Sequence, residues 1–328
     1  MRVLFIGGTG NISASTSRLL VDRGHELCLL NRGTREASIP GARLLRADIR
    51  NLPEVSKVVA GESWDAVVNW IAFLPSDIER DIRLFAGKTR QYVFISSATV
   101  YQKPPSSPFI TESTPLGNPF WDYAQNKIAC ELRLNRAFRE EGFPAVIVRP
   151  SHTYDTVIPL AIGGWEDYGI IERMRRGEVV VVHGDGTSLW TLTHSQDFAL
   201  GFAGLLGSAQ TIGQSYHLTS DEVLTWNQIH TAVAEAAGTQ ARILHIPSDF
   251  IARQEPALAG TLLGDKAHSA LFDNTKIKKA VPEYQATIPF REGIRRTLAW
   301  FEASADRMKP SGETDRLLDR LIRAYGHA

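Results

Sequence analysis

The chain has 328 residues, 43% hydrophobic and 22% charged, enough for a large core and about two domains. Lysine plus arginine and aspartate plus glutamate each number 36; this zero net charge argues against a nucleic-acid partner, which would need a clustered positive excess. Cys28 and Cys130 are too few for a disulfide framework, no Cys/His cluster has metal-ligand spacing, and no apolar run approaches the ~20 residues that span a bilayer, so a cytoplasmic protein without metal or membrane partner is expected.

Residues 3–6 are a continuous apolar run ended by glycines, the pattern of a buried parallel strand. A helix is expected over 15–23, with Leu19 and Leu20 inside, and a strand over 26–30. The apolar strand pattern returns at 66–70, 91–96 and 145–148, with the longest helix at 123–141. This alternation predicts an α/β Rossmann fold, a doubly wound parallel sheet with right-handed crossovers. Beyond Pro150 the elements shorten: a strand at 179–182, helices at 194–206 and 226–237, a strand at 242–246 and a charged helix after the polar turn at 310–314. The expected organisation is a dinucleotide-binding domain over 1–150 and a smaller, interleaved substrate lobe over 151–328, some of whose segments return to the first domain. Arg173, Arg175 and Arg176, flanked by Glu172 and Glu178, read as a solvated helix face.

Gly7-Gly8-Thr9-Gly10-Asn11-Ile12-Ser13 follows the first strand and opens the first helix. Glycines allow the tight turn and let backbone amides approach a pyrophosphate at the helix N-terminus, where the dipole favours anions. Gly7, Gly8, Thr9, Gly10, Asn11 and Ile12 are therefore candidate cofactor-binding residues. Ser13 stands in place of the usual third glycine and is small enough for close packing. The second strand ends in Asn31-Arg32, without the carboxylate that an NAD site directs at the ribose; Arg32, with Arg35, can meet a 2′-phosphate instead. The cofactor is thus NAD or NADP, tilted towards NADP. Asp48, followed by Ile49, ends the third strand where a side chain reaches the adenine.

Tyr123 and Lys127 lie at i and i+4, on one face of a helix. An ammonium beside a phenol favours the phenolate, so Tyr123 is expected to have a lowered pKa and to exchange a proton with a carbonyl or alcohol while a nicotinamide moves hydride. Ser96-Ser97-Ala98-Thr99-Val100-Tyr101 ends the preceding strand, where a hydroxyl can hold the same substrate oxygen.

With these motifs the chain resembles the short-chain dehydrogenase/reductase superfamily, in its extended branch, the NAD-dependent epimerase/dehydratase family. The likeness continues through Arg149-Pro150, Gly184-Asp185-Gly186 and Thr193-His194-Ser195-Gln196-Asp197. It implies that Ser97 holds the substrate oxygen, that Tyr123 is the acid/base and that Lys127 lowers its pKa and binds the cofactor ribose. It also implies oxidation of a sugar hydroxyl and a homodimer using the helix at 123–141.

The departures bear on substrate. Nucleotide-sugar epimerases clamp the diphosphate with two arginines, a fork that matches phosphate oxygens. The corresponding positions here are Trp190 and Leu263, and the frequent asparagine three residues after the strand-end arginine is His152. Arg253, Lys266 or Arg173 would have to substitute, or the substrate is not a nucleotide sugar. The shortened helix at 76–86 and the Asn31-Arg32-Gly33 ending are also similar to an atypical branch that includes chloroplast stem-loop-binding proteins, several of which lack the catalytic residues. Trp121, Trp165, Trp190, His152, Tyr154 and His194 are expected along the cleft, with Thr99, His152, Tyr154 and Trp190 as substrate contacts and His194 as a structural residue. Asp122 is expected to cap the helix. Three functions follow: a sugar epimerase/dehydrogenase, an NADPH-dependent ketone reductase, or an idle dinucleotide-binding protein that binds RNA or protein.

Overall fold

The computed structural model describes residues 1–33 and 39–326. Seven strands form one parallel sheet in the order Ser215–Leu218, Ala145–Pro150, β5 (Tyr92–Ile95), β4 (Ala66–Asn69), β1 (Arg2–Ile6), β2 (Glu26–Asn31) and β3 (Arg43–Arg46). Because alternate residues of a strand face opposite sides, Val3 and Phe5 enter one core while Leu4 and Ile6 enter the other. The first core takes Leu20 of α1 (Ser13–Asp22) and Phe198 and Phe202 of the helix Ser195–Leu205. The second takes Ile78 and Phe85 of α3 (Pro75–Phe85), Val55 of α2 (Leu52–Val58), and Cys130 and Leu134 of α4 (Asp122–Glu141). Both faces are covered, which is why the central strands read as unbroken apolar runs.

The sheet does not end at Pro150. Ser215–Leu218 adds its edge strand, and Ile277, Val281 and Tyr284 pack into the same core as Phe198. The remaining chain builds a third core around Trp226, Phe290 and Phe301, beside the parallel pair Val179–His183 and Arg242–Ile246. Arg173 is not on a solvated face: it is buried and donates to Asp315 (3.1 Å) and Asp319 (2.7 Å) of the helix Glu313–Gly326. Arg176 also donates to Asp315, but it and Arg175 stay exposed as expected, so the acidic face of that helix buries Arg173 alone. Cys28 and Cys130 are buried and unpaired. Among the described residues no helix is long and apolar enough to cross a membrane.

Two side chains tie the phosphate loop to the start of the second lobe. Asn11 Nδ2 donates to the Thr153 carbonyl at 2.9 Å, and Asn11 Oδ1 accepts from Thr156 N at 3.2 Å. Ser15 donates to Asp155 at 2.9 Å. The cleft between the lobes is thereby fixed at its glycine-rich end.

Candidate active site

A single cleft of about 1430 Å³ runs from the ends of β1, β2 and β3 to the second lobe. At its floor Gly7 and Gly8 both have φ of +97°, which side chains rarely adopt, and a Cβ on Gly8 would stand 2.7 Å from Leu29. The turn therefore requires glycine, and it leaves Gly7, Gly8, Thr9, Gly10, Asn11 and Ile12 lining the cleft at the start of α1. Ser13 is buried where the third glycine was expected, and its hydroxyl accepts from Gly10 N at 2.9 Å. This cradle fits a dinucleotide pyrophosphate: bare backbone, a helix N-terminus and no side chain in the way. Both ends of the Asn11 side-chain amide are committed to residues 153 and 156.

Beside the ends of β2 and β3, Asn31 Oδ1 accepts from Gly33 N (2.9 Å), and Arg32 is exposed on the cleft wall; Arg35 lies outside the described residues. Arg46 and Arg50 line the same wall. Arg46 packs on Gly33, where a Cβ would meet its Nε at 3.2 Å. Arg50 grips Asp48 through Nε (3.1 Å) and Nη2 (2.9 Å), and these bonds hold the Asp48 carboxyl down at about 2. Asp48 and Ile49 line the cleft beside them.

Ser97, in extended backbone after β5, has an Oγ that accepts from Thr99 N (3.3 Å) and Thr99 Oγ1 (3.0 Å). Its own hydroxyl proton is thus free to point outward. The neighbouring Ser96 is anchored to Glu131 (2.5 Å), which Arg149 holds at 2.9 and 2.6 Å in a buried pair. Tyr123 lines the cleft in the first turn of α4, its ring 5.0 Å from that of Trp121 and 6.2 Å from that of Phe73. Asp122 begins the helix without capping it.

The Tyr123–Lys127 pair differs from expectation in its electrostatics. Lys127 is 2% exposed and donates to the carbonyls of Ala72 (2.7 Å) and Ile95 (2.8 Å), with its Nζ 5.7 Å from the Tyr123 ring centre. A buried ammonium must satisfy its donors, and main-chain oxygens satisfy two of the three here. Burial pulls Lys127 down to about 8. Burial likewise pushes the Tyr123 phenol up from its ordinary value, eased only in part by Ser97. The phenol is protonated at neutral pH.

The substrate end is aromatic. His152 is half-buried, its Nδ1 without a partner, and burial keeps it neutral, well below the usual imidazole range. Its ring lies 5.7 Å from Trp165. Trp190 is buried between Lys103 (5.9 Å) and Lys266 (5.8 Å), with Nε1 unpartnered. Thr99 lines the cleft through its hold on Ser97. Tyr154 is a correction: it is fully buried and absent from the cleft wall, packed against His194 and Phe290 in a slot that Gly293 leaves open. His194 is also buried and caps the next helix, accepting from Gln196 N at 3.3 Å. Of the three basic residues considered as phosphate partners, Lys266 alone lines the cleft; Arg253 is paired with Asp249, and Arg173 lies in the second lobe.

The model of the NAD dependent epimerase/dehydratase family matches residues 3–218. The chain belongs to this family of enzymes. A 2'-dehydrokanamycin reductase of Streptomyces kanamyceticus is 29% identical over 289 residues, covering 87% of this chain and 80% of that protein. The chloroplast stem-loop binding protein of 41 kDa b of Arabidopsis thaliana is 24% identical over 265 residues, 76% of this chain and 67% of that one. The UDP-glucose 4-epimerase of Bifidobacterium longum, solved with NAD+ and UDP, has a TM-score of 0.75 at 19% identity and covers 94% of this chain and 100% of its own. That likeness establishes a shared fold.

This epimerase/dehydratase-family chain also presents site residues that no motif announces. Arg46 and Arg50 are brought to Arg32 by the parallel register of β2 and β3. Thr261, Asp265 and Lys266 reach the cleft because Asn118 clamps Gly264 O (2.7 Å) to Thr99 O (2.8 Å), across 146 residues of sequence. Nothing local in the sequence signals so distant a contact.

Proposed function

We propose that the chain is an NADPH-dependent reductase of a ketone on a sugar-like ring. The observation that carries this reading is the wall of Arg32, Arg46 and Arg50 at the adenosine end, where among the described residues the one carboxylate lining it with them, Asp48, is held by Arg50. A 2′-phosphate is the group that such guanidinium donors suit. The likeness to a ketone reductase across most of both chains supports the same direction. Trp190 and Leu263, in place of diphosphate-binding arginines, weigh against the nucleotide-sugar epimerase reading. An idle binding protein would not need Ser97, Tyr123 and Lys127 together.

In this reading the amides from Gly7 to Ile12 hold the pyrophosphate and Ile49 flanks the adenine. When bound, the nicotinamide supplies hydride to the carbonyl carbon. Tyr123, kept protonated by burial, donates its proton to the carbonyl oxygen, and Ser97, oriented by Thr99, donates a hydrogen bond to it. Lys127 favours the phenolate left behind. His152 and Trp190 contact the ring. A homodimer through α4, supported by its 61% exposed Leu132, and work in the cytoplasm, supported by two unpaired cysteines, complete the proposal.

The test offers NADPH or NADH with 2'-dehydrokanamycin and, separately, with UDP-glucose. NADPH oxidation mole for mole with the ring ketone is expected. Interconversion of UDP-glucose without net cofactor oxidation would overturn the reading.

A further inference from the structure

The loop after Ile158 is closed on itself: Ile158 N and O bond Trp165 O and N, each at 2.8 Å. Within it Gly163 and Gly164 have φ of 72° and 73°, and Trp165 itself has φ of 55°. No other non-glycine residue among the described ones has a positive φ. A bulky aromatic in the left-handed region is strained, and such strain persists only where the surroundings impose it. The strained side chain is not packed away. It is 46% exposed on the cleft wall, its ring 5.7 Å from that of His152 and inclined by 34°. A tryptophan in a costly conformation that covers no core is placed for what it presents to the cleft.

The surroundings define what it presents to. His152 and Trp190 line the same stretch of cleft, and the buried His152 Nδ1 and Trp190 Nε1 have no hydrogen-bond partner. Asp265 is shared by Lys266 at 3.3 Å and Lys103 at 3.9 Å, so two ammonium groups are set against one carboxylate. One net positive charge without a guanidinium fork suits hydroxyls or a single anionic group, and does not suit a diphosphate. Flat aromatic faces beside scattered hydrogen-bonding groups are how proteins hold saturated hydroxylated rings, with the C–H face on the indole and the hydroxyls on the polar atoms.

We infer that Trp165 is the stacking platform that orients the substrate ring, and that this ring arrives as a free hydroxylated ring, neutral or with one charge, rather than as a nucleoside diphosphate sugar. The inference rests on the reductase reading and names the substrate class of that site. Trp165→Gly, Trp165→Phe and the unaltered enzyme, each saturated with NADP+, are titrated with methyl glucopyranoside and with UDP, and their melting temperatures are compared. Glycine relieves the left-handed backbone, so Trp165→Gly is expected to melt at or above the temperature of the unaltered enzyme, yet to bind the glucoside about ten-fold more weakly. Trp165→Phe retains most of the binding, and UDP does not compete. Equal binding by Trp165→Gly, a lowered melting temperature in that variant, no saturable binding by the unaltered enzyme, or displacement of the glucoside by UDP would each overturn the inference. If ring ketones are reduced with an unchanged KM in Trp165→Gly, this inference fails alone. If no ring ketone is reduced while Trp165-dependent glucoside binding remains, the functional reading fails instead.

Discussion

At the adenosine end of the cleft, Arg32, Arg46 and Arg50 stand against solvent around the ionised carboxylate of Asp48. At the substrate end, His152 and Trp190 turn unpartnered nitrogens away from water, and the charges of Lys103, Asp265 and Lys266 are largely spent on one another. One end selects by strong, directed ionic bonds, the other by shape and the satisfaction of a few polar atoms. The reacting groups sit at the join. The Tyr123 phenol stays protonated, and the Lys127 ammonium is satisfied by main-chain carbonyls rather than paired with an acid. On the proposed reading the first end favours NADPH and the second offers aromatic faces and a few polar groups to the substrate.

The largest effect is expected at the join. Tyr123→Phe removes the proton donor while leaving the ring against Trp121, so kcat for ketone reduction should fall by about 10²–10⁴-fold with cofactor binding little changed. Stopped-flow measurement of hydride transfer checks it; a loss confined to KM would move the acid elsewhere. Next is the adenosine end. Replacing Arg32 by alanine should weaken NADPH by roughly 10–100-fold, from about 1.5–3 kcal/mol for one charged hydrogen bond, and leave NADH nearly unaffected. Equal losses for both cofactors, read by fluorescence titration, would remove the contrast between the two ends.

The smallest effect is on stability in acid. Burial holds His183 at about 3 and His230 at about 4, both in the second lobe. Because these folded values lie below the unfolded 6.5, the unfolded chain binds more protons as pH falls. Their contribution to stability is therefore complete above 6.5 and is lost from there towards 4 and 3. About 2 kcal/mol per histidine should disappear between pH 7.5 and pH 5. Urea unfolding at the two pH values measures this, and His230→Asn should reduce the difference by about 2 kcal/mol.

The legible parts of the molecule are those whose physics is local. The run at residues 3–6, the glycines after it and the helix behind them specify a strand, a turn and an anion site within thirteen residues, and the fold places them so. Tyr123 was found by helical spacing. The electrostatics of its pair with Lys127 was not, because the carbonyls of Ala72 and Ile95 that satisfy the ammonium come from the loop after β4 and the end of β5. Tyr154 was misplaced for a similar reason: two residues from His152 it shares a strand face, but the bare backbone of Gly293, far along the chain, opens the slot that buries it. Arg46, Arg50, Asp265 and Lys266 belong to the cleft only through sheet register and the Asn118 clamp, which no single segment reveals.

The central claim, that this cleft delivers hydride to a ring ketone and releases the oxidised cofactor, is tested most directly by following the hydride itself. NADPH carrying deuterium on the transferable position is mixed with enzyme and ring ketone, and the products are read by NMR and mass spectrometry. One deuterium per product molecule, bound to the new carbinol carbon and matched by an equal amount of NADP+, is the predicted result. An unlabelled, epimerised product with the deuterium still on the cofactor would contradict it.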